Sequence, residues 1–129
     1  MKFMIFVKAT KASEAGIMPT PQLLEEMGKF NQELMAAGVM LDGGGLQPTS
    51  KAARVTFSAK DRTMRMGPFE NTSELVAGYW LWELNSLDEA IEWVKRSPNP
   101  MPETSDIEIR PLYGMEDFAS SRESASQAK

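Results

Sequence analysis

The chain has 129 residues, 42% hydrophobic and 25% charged, which suits one hydrophobic core and excludes wholesale disorder. Fourteen basic against eighteen acidic residues leave a net charge of -4, so a broad electrostatic surface for nucleic acid or anionic lipid is not expected. Cysteine and histidine are both absent, which removes disulfides, thiolate nucleophiles, the commonest general base and the usual transition-metal ligands. Proton transfer must then fall to Asp, Glu, Lys, Arg, Tyr or backbone groups.

The start of the chain, Met1 to Lys8, resembles a signal peptide only in its first residues. Its apolar run, Phe3 to Val7, is five residues long, ends in Lys8 and lacks a small-residue cleavage site. No run reaches the length of a membrane span. A cytoplasmic location is the expectation, with neither membrane nor nucleic acid as partner.

Lys2–Lys8 reads as a strand with apolar residues on both faces: Met4 and Phe6 on one, Phe3, Ile5 and Val7 on the other. A loop is expected from Ala9 to Pro19. Thr20 then stands in N-cap position ahead of Pro21, and Leu23, Met27, Phe30 and Leu34 recur at helical spacing. Gly38 is placed to end that helix in a left-handed turn. Val39–Leu41 is a short strand, stopped by Asp42-Gly43-Gly44-Gly45. Ala53–Phe57 and Arg62–Met66 alternate apolar and polar residues and form a predicted hairpin around Ser58–Asp61. Gly67-Pro68 breaks the second arm, and an irregular link follows from Phe69 to Ala77.

Gly78–Leu84 (GYWLWEL) is a further strand with large groups on both faces. Ser86-Leu87-Asp88-Glu89 has the S-x-x-E capping-box pattern, and Leu87, Ala90, Ile91 and Val94 form the stripe of the helix it opens. Pro98, Pro100 and Pro102 end that helix. Asp106–Tyr113 is the last strand, with Pro111 indicating an end or edge position. Residues 1–118 form one expected domain; 119–129 lack apolar residues larger than alanine and read as a disordered tail.

The order strand, helix, strand, hairpin, strand, helix, strand predicts an α+β, ferredoxin-like split β-α-β sandwich with an inserted hairpin. Two helices cover one sheet face, yet two strands are apolar on both. A second copy of the chain is the simplest cover, so a homodimer is expected.

Asp42-Gly43-Gly44-Gly45-Leu46-Gln47-Pro48, Gly67-Pro68-Phe69, Gly78-Tyr79-Trp80, Ser86 to Trp93 and Ile107 to Pro111 occur in the order found in the YCII-related proteins, DGPF branch. The resemblance covers about residues 1–115. It implies a dimeric α+β barrel and small-metabolite chemistry of the elimination or rearrangement kind. The naming tetrapeptide of that branch is Asp-Gly-Pro-Phe, and here Met66 stands in its first position. The His–Asp pair suspected elsewhere in the family has no counterpart in a chain without histidine.

Two readings of the candidate groups follow. In the first, a cofactor-free enzyme carries out proton transfer, elimination or isomerisation on a small molecule. Glu74 and Tyr79 are its candidate catalytic groups. Arg65, Met66, Gly67, Phe69, Arg110 and Gln47 are its candidate ligand contacts, with Arg110 as a two-point anion anchor. In the second, the chain is a non-catalytic small-molecule-binding or interaction module. Each candidate also has a structural reading: glycines as turn residues, aromatics as core, charges as solvated or paired surface. No carboxylate spacing suits a metal, and no cofactor motif occurs. Met66 faces either a ligand cavity, making it more hydrophobic than an aspartate would, or the core.

Overall fold

The computed structural model describes residues 1–118, and the expected tail, 119–129, lies outside them. The main elements follow in chain order: β1 (Lys2–Lys8), α1 (Lys11–Glu14), α2 (Pro21–Ala36), β2 (Met40–Gly45), β3 (Ala53–Ser58), β4 (Asp61–Met66), β5 (Val76–Glu83), α3 (Leu87–Arg96) and β6 (Ile107–Pro111). Four strands make one antiparallel sheet in the order β2-β5-β1-β6, and β3-β4 form a separate two-stranded ribbon. Without the ribbon, this is the ferredoxin-like arrangement. Among the described residues, no helix is long and apolar enough to cross a membrane.

The register divides the sheet into two unequal faces. Phe3, Ile5 and Val7 of β1 stand opposite Trp82, Trp80 and Gly78 of β5, and these six are buried. Phe30 and Leu34 of α2 and Ala90 of α3 close over them to complete the main core. Phe30 meets Trp80 edge-on at 5.8 Å between ring centroids and Trp82 at 6.4 Å, geometry that favours aromatic pairs beyond area burial alone. The other face carries Met4, Phe6, Tyr79 and Leu81, all half-buried, flanked by Glu108 and Arg110 of β6.

Both long helices start as their sequences predict. The Thr20 hydroxyl accepts from the Leu23 amide at 3.1 Å, Pro21 takes the first position, and Gly38 follows the helix with φ of 71°. At α3 the Ser86 hydroxyl accepts from the Glu89 amide, but the Glu89 carboxylate reaches the amide of Asn85, one residue earlier than a full capping box. Leu87, expected on the buried stripe, is 46% exposed because it sits in the first turn, beyond the sheet.

The structure corrects two local expectations. The segment after β1 is not wholly loop: Thr10 and Ser13 cap each other reciprocally and start the four-residue helix α1. The glycine run does not stop β2 but forms most of it. A bulge near Leu41 re-sets the register, after which Gly43 pairs with Trp80 and Gly44 with Tyr79. A Cβ on Gly43 would stand 2.9 Å from Trp80 Cδ1, and one on Gly44 would meet the Tyr79 ring at 3.3 Å. The glycines are there because aromatic rings occupy the places of their side chains.

Beyond β2, a chain of hydrogen bonds ties three loops together. The Glu14 carboxylate accepts from the Thr49 hydroxyl at 2.6 Å and from its amide, and the Thr49 hydroxyl oxygen accepts from the Phe69 amide at 3.0 Å. Phe69 is buried against Ala9 and Leu75 in a second small core. Gly67 donates its amide to the Ala52 carbonyl, and any Cβ there would collide with the Thr49 carbonyl oxygen. The Gly67-Pro68 bond is cis.

These contacts rank three alanine substitutions. Gly67→Ala, which meets backbone, is expected to cost about 3 kcal/mol; Gly43→Ala, which meets a buried ring, about 1–2 kcal/mol. Gly45→Ala faces open space and should stay within about 0.5 kcal/mol. Urea unfolding of the three variants checks the order. In the same assay Thr49→Val should lose about 1–3 kcal/mol, because it strips the Glu14 carboxylate and the Phe69 amide of a shared partner.

Candidate functional site

A concavity of about 670 Å³ lies at the end of the sheet where β1 leads into α2 and β2 ends. Ile17, Met18, Pro19 and Leu23 form one wall, Leu46, Gln47 and Pro48 a second, and Pro100, Met101 and Pro102 a third, with Ala77 of β5 beneath. Four of these residues are prolines, which contribute no backbone N–H. The lining contains no Asp, Glu, Lys, Arg or Tyr. Its polar side chains are Ser13, Thr20 and Gln47, and the first two already cap helices. The Gln47 amide makes no hydrogen bond to another side chain or backbone group among the described residues. It can therefore offer a ligand both a donor and an acceptor.

Each wall is held by contacts from outside it. Glu14, through Thr49, joins α1 to the Leu46–Pro48 wall. The Thr10 hydroxyl donates to Met101 Sδ at 3.5 Å, and the Ala12 amide donates to Glu103, which fastens the third wall to the same short helix. Asn99 then shapes that wall: its side chain accepts from the Met101 amide and the Ser105 hydroxyl and donates to the Glu103 carbonyl. The cavity thus has apolar surfaces and a polar frame behind them.

A smaller recess of about 380 Å³ continues from it along the glycine strand and shares Pro19, Leu23, Gly45, Ala77, Pro100 and Met101. Met27, Met40, Trp80 and Tyr79 complete it. The Trp80 indole donates to Asn31 Oδ1 at 2.9 Å, so α2 is pinned to β5 at the recess. Tyr79 is the one titratable residue bordering either space, and its ring lies over Gly44 on the sheet face opposite Trp80.

The eight residues singled out from sequence fall in five places. Gln47 lines the main cavity and Tyr79 the recess. Arg65, Met66, Gly67 and Phe69 gather instead at the base of the hairpin, where the Arg65 guanidinium lies 5.3 Å from the Phe69 ring centroid and that of Arg54 lies 3.9 Å from it. Met66 is 58% exposed and lines neither space. Glu74 closes a short turn of 3₁₀ helix (Thr72–Glu74), where its carbonyl accepts from the Lys8 ammonium; its side chain is exposed. Arg110 projects from the outer sheet face and pairs with Glu108 at 3.5 Å. Among the described residues, no group of three or more metal-ligating side chains comes together.

Sequence reasoning missed most of the cavity wall. Ile17, Met18, Pro100 and Met101 lie in segments read only as loops, and their meeting depends on the docking of α1. Glu14 was equally invisible, because its partner Thr49 lies 35 residues away.

A search of solved structures finds the dehydrochlorinase TftG of Burkholderia phenoliruptrix AC1100, described as acting on 5-chloro-2-hydroxyhydroquinone and solved with 2,5-dihydroxybenzoquinone. It is 18% identical, with a TM-score of 0.47, over 90% of this chain and 98% of that one. In sequence, the uncharacterized protein R00369 of Rhizobium meliloti (strain 1021) is 31% identical over 91 residues, 70% of this chain and 73% of that protein. The YCII-related domain matches residues 1–115, nearly the whole described chain. The chain belongs to the YCII-related domain family.

Proposed function

We propose that this protein binds a small, uncharged, largely apolar molecule in the cavity between the Ile17–Leu23 segment, the Leu46–Pro48 loop and the Pro100–Pro102 loop. The observation that carries this reading is the lining itself: about 670 Å³ of apolar wall without a charged side chain, and one uncommitted amide, Gln47, to orient the ligand. An ionic group entering such a space loses hydration without gaining a countercharge. An anionic ligand, for which Arg110 was the candidate anchor, has no countercharge in this cavity.

Turnover is the second reading, carried by Tyr79, the one titratable residue bordering the recess. Its phenol can hold or move a proton, but it lies over Gly44 on the sheet face opposite Trp80, so it would serve a ligand at the β2 edge rather than one enclosed in the cavity. Glu74 stands outside both spaces and has no part in this version.

The outer sheet face bears on assembly. Met4, Phe6, Tyr79 and Leu81 form an apolar centre that neither helix covers, and a second copy packed against it is part of the proposal.

A pair of probes matched in shape separates neutral from charged recognition. 2-Naphthol at saturating concentration should raise the melting temperature, while 2-naphthoate should not. Leu23→Trp, which fills the cavity, should weaken 2-naphthol binding by about tenfold or more, whereas Arg65→Ala and Arg110→Ala should change it by less than about twofold. Preferential binding of the carboxylate, lost in either arginine variant, would overturn the assignment. Product analysis of every hit from a neutral metabolite library, repeated with Tyr79→Phe, decides between binding and turnover. Conversion that persists in Tyr79→Phe removes the tyrosine from the mechanism.

A further inference from the structure

β2 is an edge strand of the four-stranded sheet, with no further strand on its outer side among the described residues. The register decides which of its backbone groups face that side. Successive residues of an antiparallel strand alternate between bonding the partner strand and pointing away from it. The Leu46 amide donates to the Ala77 carbonyl at 2.8 Å, and the pairing runs unbroken from there through Gly45–Gly78 and Gly44–Tyr79 to Asp42–Leu81. Leu46, Gly44 and Asp42 therefore bond β5, whereas the N–H and C=O groups of Gly45 and Gly43 project from the edge.

The two glycines differ in what meets them there. The Gly43 amide donates to the Asp42 carboxylate at 2.8 Å, a local cover that blunts an exposed edge. Gly45 has no such cover: neither its N–H nor its C=O has a hydrogen-bond partner among the described residues. It lies on the wall shared by the cavity and the recess, and having no side chain it meets both with backbone alone. A Cβ on Gly43 would point at Trp80, but one on Gly45, two residues along the same face, would find nothing within 4 Å. A ligand can approach this stretch of backbone closely.

Other backbone around the cavity is already committed. Its prolines have no N–H, and the amides of Ile17, Leu23, Leu46 and Met101 donate to the Ala12 carbonyl, the Thr20 hydroxyl, the Ala77 carbonyl and the Asn99 side chain. Gly45 keeps a donor and an acceptor side by side, the pair an adjacent strand would use.

We infer that Gly45 reads an amide edge: the ligand of this cavity is a neutral, largely apolar molecule carrying a lactam or another cis amide. The ligand N–H donates to the Gly45 carbonyl while the ligand C=O accepts from the Gly45 amide. The inference rests on the neutral-cavity reading and names the polar group that its ligand presents. A lactone of the same shape keeps the acceptor but sets a ring oxygen against the Gly45 carbonyl. The amide satisfies both backbone groups without bringing charge into an apolar space.

Calorimetry with three two-ring probes tests this: 2-quinolone (a lactam), coumarin (the matching lactone) and 2-naphthol. Wild-type protein should bind 2-quinolone at least about tenfold more tightly than coumarin. Gly45→Pro removes the N–H at an edge position where proline is tolerated, and Gly45→Ala adds a side-chain carbon with the N–H kept. The proline variant should bind 2-quinolone at least about fivefold more weakly than the alanine variant. In ¹⁵N-labelled protein, 2-quinolone should move the Gly45 amide proton downfield. The preference over coumarin should persist in Gln47→Met; if it vanishes there, the side chain of Gln47 reads the amide and the role of Gly45 is overturned. If 2-quinolone and coumarin bind alike while Leu23→Trp still weakens 2-naphthol, the inference falls and the neutral cavity stands. If Leu23→Trp leaves the binding of all three probes unchanged, the cavity reading falls and takes the inference with it.

Discussion

Gly43 has no side chain because Trp80 needs the space. The indole edge sits where a Cβ would be, donates its N–H to Asn31 of α2, and meets Phe30 edge-on. One ring thus sets the distance from helix to sheet and the path of the edge strand. On the other side of the same strand, Tyr79 lies over Gly44. With both rings seated on glycine, β2 hugs the sheet and leaves the space beyond its end open. The cavity occupies that space, and its position follows from backbone freed of side chains rather than from any polar motif.

The cavity separates shape from charge. Charged side chains occur around the frame, the outer sheet face and the hairpin, but none lines the space itself. Glu14 shows how the two are connected: its carboxylate touches no lining atom's ligand space, yet it holds the loop that carries Gln47 through Thr49. A chain without histidine or cysteine can still build a specific pocket in this way, because apolar fit and one oriented amide suffice for recognition. Acid–base chemistry is harder, because the one titratable residue bordering these spaces, Tyr79, sets its phenol on the opposite sheet face.

The extent to which the sequence was readable tracks the range of the interactions involved. Helix starts depend on contacts three residues apart, and Thr20-Pro21 and Ser86 to Glu89 were legible for that reason. Strands were legible because alternation along a strand is a local signal, and their order with the helices predicts the ferredoxin-like arrangement. Glycine proved ambiguous: the same triplet reads as a turn by propensity and as a strand once two aromatic rings are known to lie on it. The site was least legible, because its walls come from three loops that α1, Glu14 and Asn99 bring together. Of the eight candidate residues, Gln47 and Tyr79 line the connected spaces. The Arg65 to Phe69 group drew notice through a motif and proves to join the hairpin to the body, with Arg54 and Arg65 stacked on Phe69.

Ten methionines distributed over these regions allow a direct test of where ligand binds. Methyl-labelled methionine NMR during a titration with 2-naphthol reports on Met18 and Met101 in the cavity, Met27 and Met40 in the recess, and Met64 and Met66 on the hairpin. A ligand held by the neutral cavity moves the Met18 and Met101 resonances first and leaves Met64 and Met66 in place. Shifts at Met64 and Met66 with Met18 and Met101 unmoved would place binding at the hairpin and contradict the assignment of the site.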